Sequence, residues 1–201
     1  MNVRLLPTRP PAGVIDPIVR LLVAARMTPT VLTTAGLAGN AVAAVLIVQG
    51  ALLAGGVVVL VASALDMFDG ALARATGRAS RFGAMFDSVL DRMSEAVVLF
   101  AICWWAIALG RREEALLAFA AVVGSLLVSY VRARAEGLGL ALRDGFFTRP
   151  ERVVLTGLLL VTGQVRLGLW LLAVLVLFTS VQRLWIASRM LLAEDADQGP
   201  R

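Results

Sequence analysis

Asp66-Met67-Phe68-Asp69-Gly70-Ala71-Leu72-Ala73-Arg74, then Ala75 to Phe82, then Gly83-Ala84-Met85-Phe86-Asp87-Ser88-Val89-Leu90-Asp91, is the stretch that decides the fold. Its carboxylates sit among apolar segments: Val57 to Leu65 leads in and Ala96 to Leu109 leads out. An Asp at the centre of a membrane helix costs about 2.5–3.5 kcal/mol. On a helix, Asp66, Asp69 and Ala73 share one face, and Gly70 removes a side chain beside it. Asp87 and Asp91 are four apart and share a face of the next helix. Two such helices facing each other make an all-oxygen cage, which suits a hard divalent ion such as Mg²⁺ holding substrate phosphates. There is no His, and the one Cys, Cys103, lies in an apolar run, so zinc is a poor fit. A purely structural alternative pairs the same carboxylates with Arg74, Arg78, Arg81 and Arg92 as salt bridges.

Working outward, the 201 residues are 59% hydrophobic and 16% charged, too apolar for a soluble domain of this size. The net charge of +5 is carried by Arg alone, spread between apolar runs, which favours a membrane surface over nucleic acid. We expect an all-α integral membrane fold in a single domain spanning residues 1–201. Residues 1–28 form an irregular Pro- and Arg-rich start and an amphipathic helix, Val14 to Met27, lying in the membrane interface. The N-terminus does not read as a removable signal peptide. Residues 29–191 form a core of six transmembrane helices, in segments near 30–49, 52–75, 83–109, 113–136, 150–165 and 167–189. Gly137 to Pro150 reads as a polar link. Residues 192–201 form a polar tail, disordered from Glu194 on. With six spans, sixteen Arg fall on the side of the termini and the Asp cluster, and only Arg111, Arg112 and Arg166 on the other. That asymmetry places both termini and the cluster on the cytoplasmic side of the cell membrane.

The pattern D-x2-D-G-x2-A-R-x8-G-x3-D-x3-D resembles the signature of the CDP-alcohol phosphotransferase family, with Asp66, Asp69, Gly70, Ala73, Arg74, Gly83, Asp87 and Asp91 all in place. The family comprises membrane enzymes that move a phospho-alcohol group from a CDP-linked donor to an acceptor hydroxyl. The resemblance implies that Asp66, Asp69, Asp87 and Asp91 bind two Mg²⁺ ions, with Mn²⁺ as a substitute, and that Asp91 is also the catalytic base. It implies donor contacts from Thr30, Val31, Leu32, Thr33, Gly70, Arg74 and Ser80, with CDP-diacylglycerol as donor. Thr30 and Thr33 are equally readable as helix caps. A homodimer is implied as well.

Three cytoplasmic Arg patches lie around Arg132 and Arg134, around Arg149-Pro150-Glu151-Arg152, and at Arg183. Guanidinium groups bind phosphate with two parallel hydrogen bonds, so the patches suit an acceptor that already carries a phosphate. They also suit plain membrane anchoring. They resemble the bacterial phosphatidylinositol phosphate synthase branch of the family, whose acceptor is inositol 1-phosphate. That resemblance implies an acceptor-phosphate pocket of Arg132, Arg152 and Arg183, with Arg134 beside it. Arg132 stands where that branch has Lys. A glycerol 3-phosphate acceptor, making phosphatidylglycerol phosphate, is an alternative that the Arg patches do not separate. A divalent-cation transporter is a different class, but Ala96 to Leu109 offers almost no polar path across the span. A membrane scaffold leaves the buried carboxylates unexplained.

Overall fold

Caps and glycines set the helix boundaries. Thr28 accepts a hydrogen bond from Val31 N–H at 3.3 Å, and Pro29 follows it, which starts α2, Pro29–Val48. Ser80 accepts from Gly83 N–H at 3.0 Å and starts α5, Arg81–Ala108. Thr148 and Glu151 form a reciprocal capping box at the start of α7, Arg149–Val161. Gly110, at φ 70°, ends α5: its N–H bonds Ile107 O at 3.0 Å and Arg111 N–H reaches back to Ala106 O at 2.8 Å. That pair of bonds needs a left-handed residue between them, which Gly supplies without strain. The remaining helices are α1, Ala12–Ala24; α3, Leu52–Asp66; α4, Asp69–Ala75; α6, Arg112–Gly137; and α8, Val165–Gln198.

The computed structural model describes residues 12–142 and 145–198. The expected irregular start, residues 1–11, and the last tail residues, 199–201, lie outside the described residues. No strand occurs among the described residues.

Six helices close into a ring. α3 packs on α2, α2 on α5, α5 on α6, α6 on α8, α8 on α7, and α7 back on α3. Small residues let these backbones approach closely. A side chain at Gly56 would meet Gly157 O at 3.0 Å, one at Gly157 would meet Leu60, and one at Gly124 would sit 2.3 Å from Val176. Close contact through small residues is how helices associate where lipid removes the hydrophobic drive between them. The ring's interior holds Ile47, Leu99, Ile102, Leu160, Leu169 and Leu172, each essentially inaccessible. Its outside carries Leu53, Val61, Phe100, Trp104, Phe119 and Phe178, all exposed. So much exposed apolar surface suits lipid and not water.

Among the described residues, four stretches are long and apolar enough to cross a membrane: Pro29–Val48, Leu52–Ala75, Arg112–Gly137 and Val165–Ala196. Two expected spans fall outside this set for physical reasons. The first half of α5 carries Arg81, Asp87, Asp91, Arg92 and Glu95. α7 has 13 residues, about 20 Å at 1.5 Å per residue.

Other expectations change. The 52–75 segment is not one uninterrupted helix: α3 ends at Asp66, Phe68 N–H bonds Leu65 O at 3.1 Å in a tighter turn, and α4 begins at Asp69. The Gly137–Pro150 link is not merely polar, because Leu140, Leu142 and Phe147 are buried. Leu140 and Leu142 pack with Ala135 and Ala187. The tail is helical through Gln198, as the continuation of α8. Ala and Glu there are good helix formers, and elongating an existing helix avoids the cost of nucleation. The N-terminal helix α1 starts and ends earlier than expected, and Val19 packs with Leu32 and Leu72.

Candidate active site

The break between α3 and α4 places two carboxylates at adjoining helix ends, and α5 presents two more. Asp66 is only 5% exposed. Gly36 on α2 makes its place: a Cβ there would lie 1.7 Å from Asp66 Oδ1. Thr33 Oγ1 donates to Asp69 Oδ2 at 2.9 Å, and Gly70 N–H donates to Asp69 Oδ1. Asp87 comes within hydrogen-bonding range of Asp69. Two carboxylates this close need a shared proton or a cation between them.

One cation is already there. Arg149, the first residue of α7, reaches across with a single nitrogen, Nη2, lying 2.8 Å from Asp91 Oδ1 and 3.3 Å from Asp66 Oδ2. The structural alternative named Arg74, Arg78, Arg81 and Arg92 as partners; the observed partner is Arg149. As they stand, no three carboxylates among the described residues are gathered to hold one metal ion. The donor set nonetheless fits a hard divalent ion. It is all oxygen, Asp69 faces Asp87, and Asp66 Oδ1 is buried without a hydrogen-bond partner among the described residues.

Two cavities meet at this cluster. One, of about 490 Å³, is lined by Thr30, Thr33, Gly70, Arg74 and Ser80, together with Asp69 and Asp87. Five of the expected donor contacts therefore line one space. Val31 and Leu32 do not: Val31 is exposed elsewhere, and Leu32 is buried against Val19 and Leu72. The capping alternative for Thr30 and Thr33 is not what is observed, since Thr28 is the cap and Thr33 bonds Asp69. Ser80 has two roles, as a helix cap and as a cavity wall.

The second cavity, of about 610 Å³, is lined by Asp91, Arg92, Arg132, Arg149, Arg152 and Arg183, among others. Asp87 and Ala84 border both cavities. The expected acceptor arginines differ in their bonding. Arg132 is half-exposed and pairs with Glu136 at 2.8 Å. Arg183 is buried and donates to Val128 O at 2.8 Å, with Gly145 leaving room for its guanidinium. Arg152 is buried and forks onto Glu95 at 2.6 and 2.8 Å. Arg134 is exposed and does not line the cavity.

Sequence reasoning missed three contributors. Arg149 reads only as part of a basic patch, and no local signal ties it to Asp66 or Asp91. Glu95 carries a signal that could have found it: it continues the Asp87–Asp91 helix face, four residues beyond Asp91. Gly36 carries no signal until α2 and α3 are packed together.

The sequence model of the CDP-alcohol phosphatidyltransferase family matches residues 26–181. A phosphatidylinositol phosphate synthase of Corynebacterium glutamicum is 36% identical over 203 residues, covering 96% of this chain and 92% of that protein. The crystal structure of Mycobacterium tuberculosis phosphatidylinositol phosphate synthase with CDP-DAG bound is similar at TM-score 0.80 and 35% identity, covering 88% of this chain and 94% of that one. A second structure of that synthase, in complex with manganese and citrate, is similar at TM-score 0.78 and 36% identity, covering 86% and 88%.

Proposed function

This chain belongs to the CDP-alcohol phosphatidyltransferase family, and from that premise we propose that it moves the phosphatidyl group of CDP-diacylglycerol to inositol 1-phosphate, giving phosphatidylinositol phosphate and CMP. The observation that carries the reading is the pair of cavities sharing Asp87, one lined by the family's donor positions and one lined by arginines.

Thr30, Gly70, Arg74 and Ser80 hold the donor's nucleotide and pyrophosphate in the first cavity. Arg132, Arg152 and Arg183 hold the acceptor's phosphate in the second. Asp66, Asp69, Asp87 and Asp91 would hold two divalent ions, Mg²⁺ with Mn²⁺ as a substitute. When bound, these neutralise the pyrophosphate and keep the attacking and leaving oxygens in line. Asp91 lies on the acceptor side and takes the proton of the attacking hydroxyl. The new P–O bond forms as the bond to CMP breaks.

The ring supports six membrane crossings, with α5 and α7 each flanked by two of the four strongly apolar spans. α1 lies in the interface. The Arg asymmetry supports cytoplasmic termini in the cell membrane, and the family supports a homodimer of this single domain.

The test is purified protein in detergent with labelled CDP-diacylglycerol, offered inositol 1-phosphate, glycerol 3-phosphate or inositol, with Mg²⁺ or with a strong chelator. Labelled product with inositol 1-phosphate and Mg²⁺ alone is the expected result. Faster turnover on glycerol 3-phosphate refutes the acceptor, and full turnover in chelator refutes the metal.

A further inference from the structure

Two arginines near the cluster are held in opposite ways. Arg152 is 2% exposed and meets Glu95 through two nitrogens on two oxygens. That is the geometry of a fixed pair. Arg149 is 25% exposed and touches both Asp66 and Asp91 through one nitrogen. The 2.8 Å approach to Asp91 Oδ1 lies off the hydrogen-bond direction, and Arg149 Nε has no hydrogen-bond partner among the described residues. Arg149 is thus held by charge more than by directed bonds. Its side chain also borders the second cavity, which leaves it somewhere to go.

A buried cluster of carboxylates needs a cation. A guanidinium and a divalent ion cannot occupy the same carboxylate oxygens. We infer that Arg149 is a displaceable counter-cation: it neutralises Asp66 and Asp91 while no divalent ion is bound, and it must leave both for one to bind. The inference rests on the proposed metal role of these carboxylates. Arg149 is on this account a positioning residue that sets how strongly the cluster takes up metal before substrate arrives.

The experiment is Mn²⁺ binding to chelator-stripped, substrate-free protein, read by the loss of the free-ion electron paramagnetic signal. Arg149→Gln should bind Mn²⁺ at least about tenfold more tightly than the wild type, the effect of deleting a charge-assisted contact. Mn²⁺ should also raise its thermal midpoint more than it raises that of the wild type. Arg92→Gln is the control. Arg92 lies near Asp91 but donates to Ser88 O, and among the described residues it bridges no pair of carboxylates. It should change Mn²⁺ affinity far less. Equal tightening by Arg92→Gln and Arg149→Gln overturns displacement in favour of a diffuse field. Unchanged affinity in Arg149→Gln overturns it outright. If Arg149→Gln does not fold, Arg149→Lys keeps the charge, loses the reach, and should still tighten binding; unchanged affinity there overturns the proposal. Failure of the wild type to bind Mn²⁺ at all overturns the metal role of the cluster and this inference together.

Discussion

Gly36→Ala adds one methyl group to the wall behind Asp66. The new Cβ would stand 1.7 Å from Asp66 Oδ1 and 2.5 Å from its Cγ. Ordinary van der Waals contact needs about twice the first distance, so the carboxylate must retreat by roughly 1.5 Å. Asp is short, and Asp66 closes α3, so the retreat must rotate the carboxylate or push α3 away from α2. Either movement misplaces one of the proposed metal ligands. A 1 Å misplacement can cost about a hundredfold in rate, which is close to 3 kcal/mol of barrier. We expect Gly36→Ala to lower kcat for phosphatidyl transfer by about a hundredfold or more. Thr30, Gly70, Arg74 and Ser80 line the first cavity and Asp66 does not, so binding of CDP-diacylglycerol should change little. The assay is transfer of label from CDP-diacylglycerol, with donor binding measured on the same preparation to exclude unfolding. A rate within threefold of the wild type would refute the role given to the close approach of α2 and Asp66.

Asp91→Asn should abolish turnover and leave CDP-diacylglycerol binding intact; near-normal transfer would remove Asp91 from the base role. Glu95→Gln leaves Arg152 charged and buried without its fork. Breaking a buried pair from one side costs about 3–5 kcal/mol, so the midpoint of thermal unfolding in detergent should fall sharply. The double variant Glu95→Gln with Arg152→Gln should recover part of that loss, and no recovery would mean the pair is not the cause. A reporter fused after Arg201 should read as cytoplasmic and one inserted at Gly110 as external, with the reverse pattern overturning the orientation.

What the sequence made legible was local. The Asp66/Asp69 and Asp87/Asp91 pairs, Ser80, Thr30 and Thr33 are patterns within one or two helical turns, and the structure gathers most of them around the two cavities, while Val31 and Leu32 of the same run point elsewhere. Gly110 at the end of α5 and Pro150 at the start of α7 act locally in the same way. What it hid depends on ring closure. Arg149 meets Asp66 across 83 positions of chain, and Arg152 meets Glu95 across 57. Neither partner announces the other. Composition misled where tertiary context won: the Gly137–Pro150 link looked polar, yet Leu140 and Leu142 found buried places beside Ala187 of α8, and Phe147 joined the main core. Thr33 looked like a cap because Thr often is one, but the neighbouring Thr28 took that position and left Thr33 to orient Asp69.

Ala84 and Asp87 are one helical turn of α5 with a cavity on each side. These two are the only lining residues the chambers share among the described residues, so nucleotide-like and sugar-phosphate-like blockers should bind together and not exclude each other. A molecule joining both kinds of group has to cross at that single turn, where the smallest side chain is Ala84. Tethering the two would make the second attachment intramolecular and multiply the affinity of either half. Enlarging Ala84 should abolish that gain while sparing each half alone, which makes one methyl group the gatepost for any bisubstrate inhibitor of this protein.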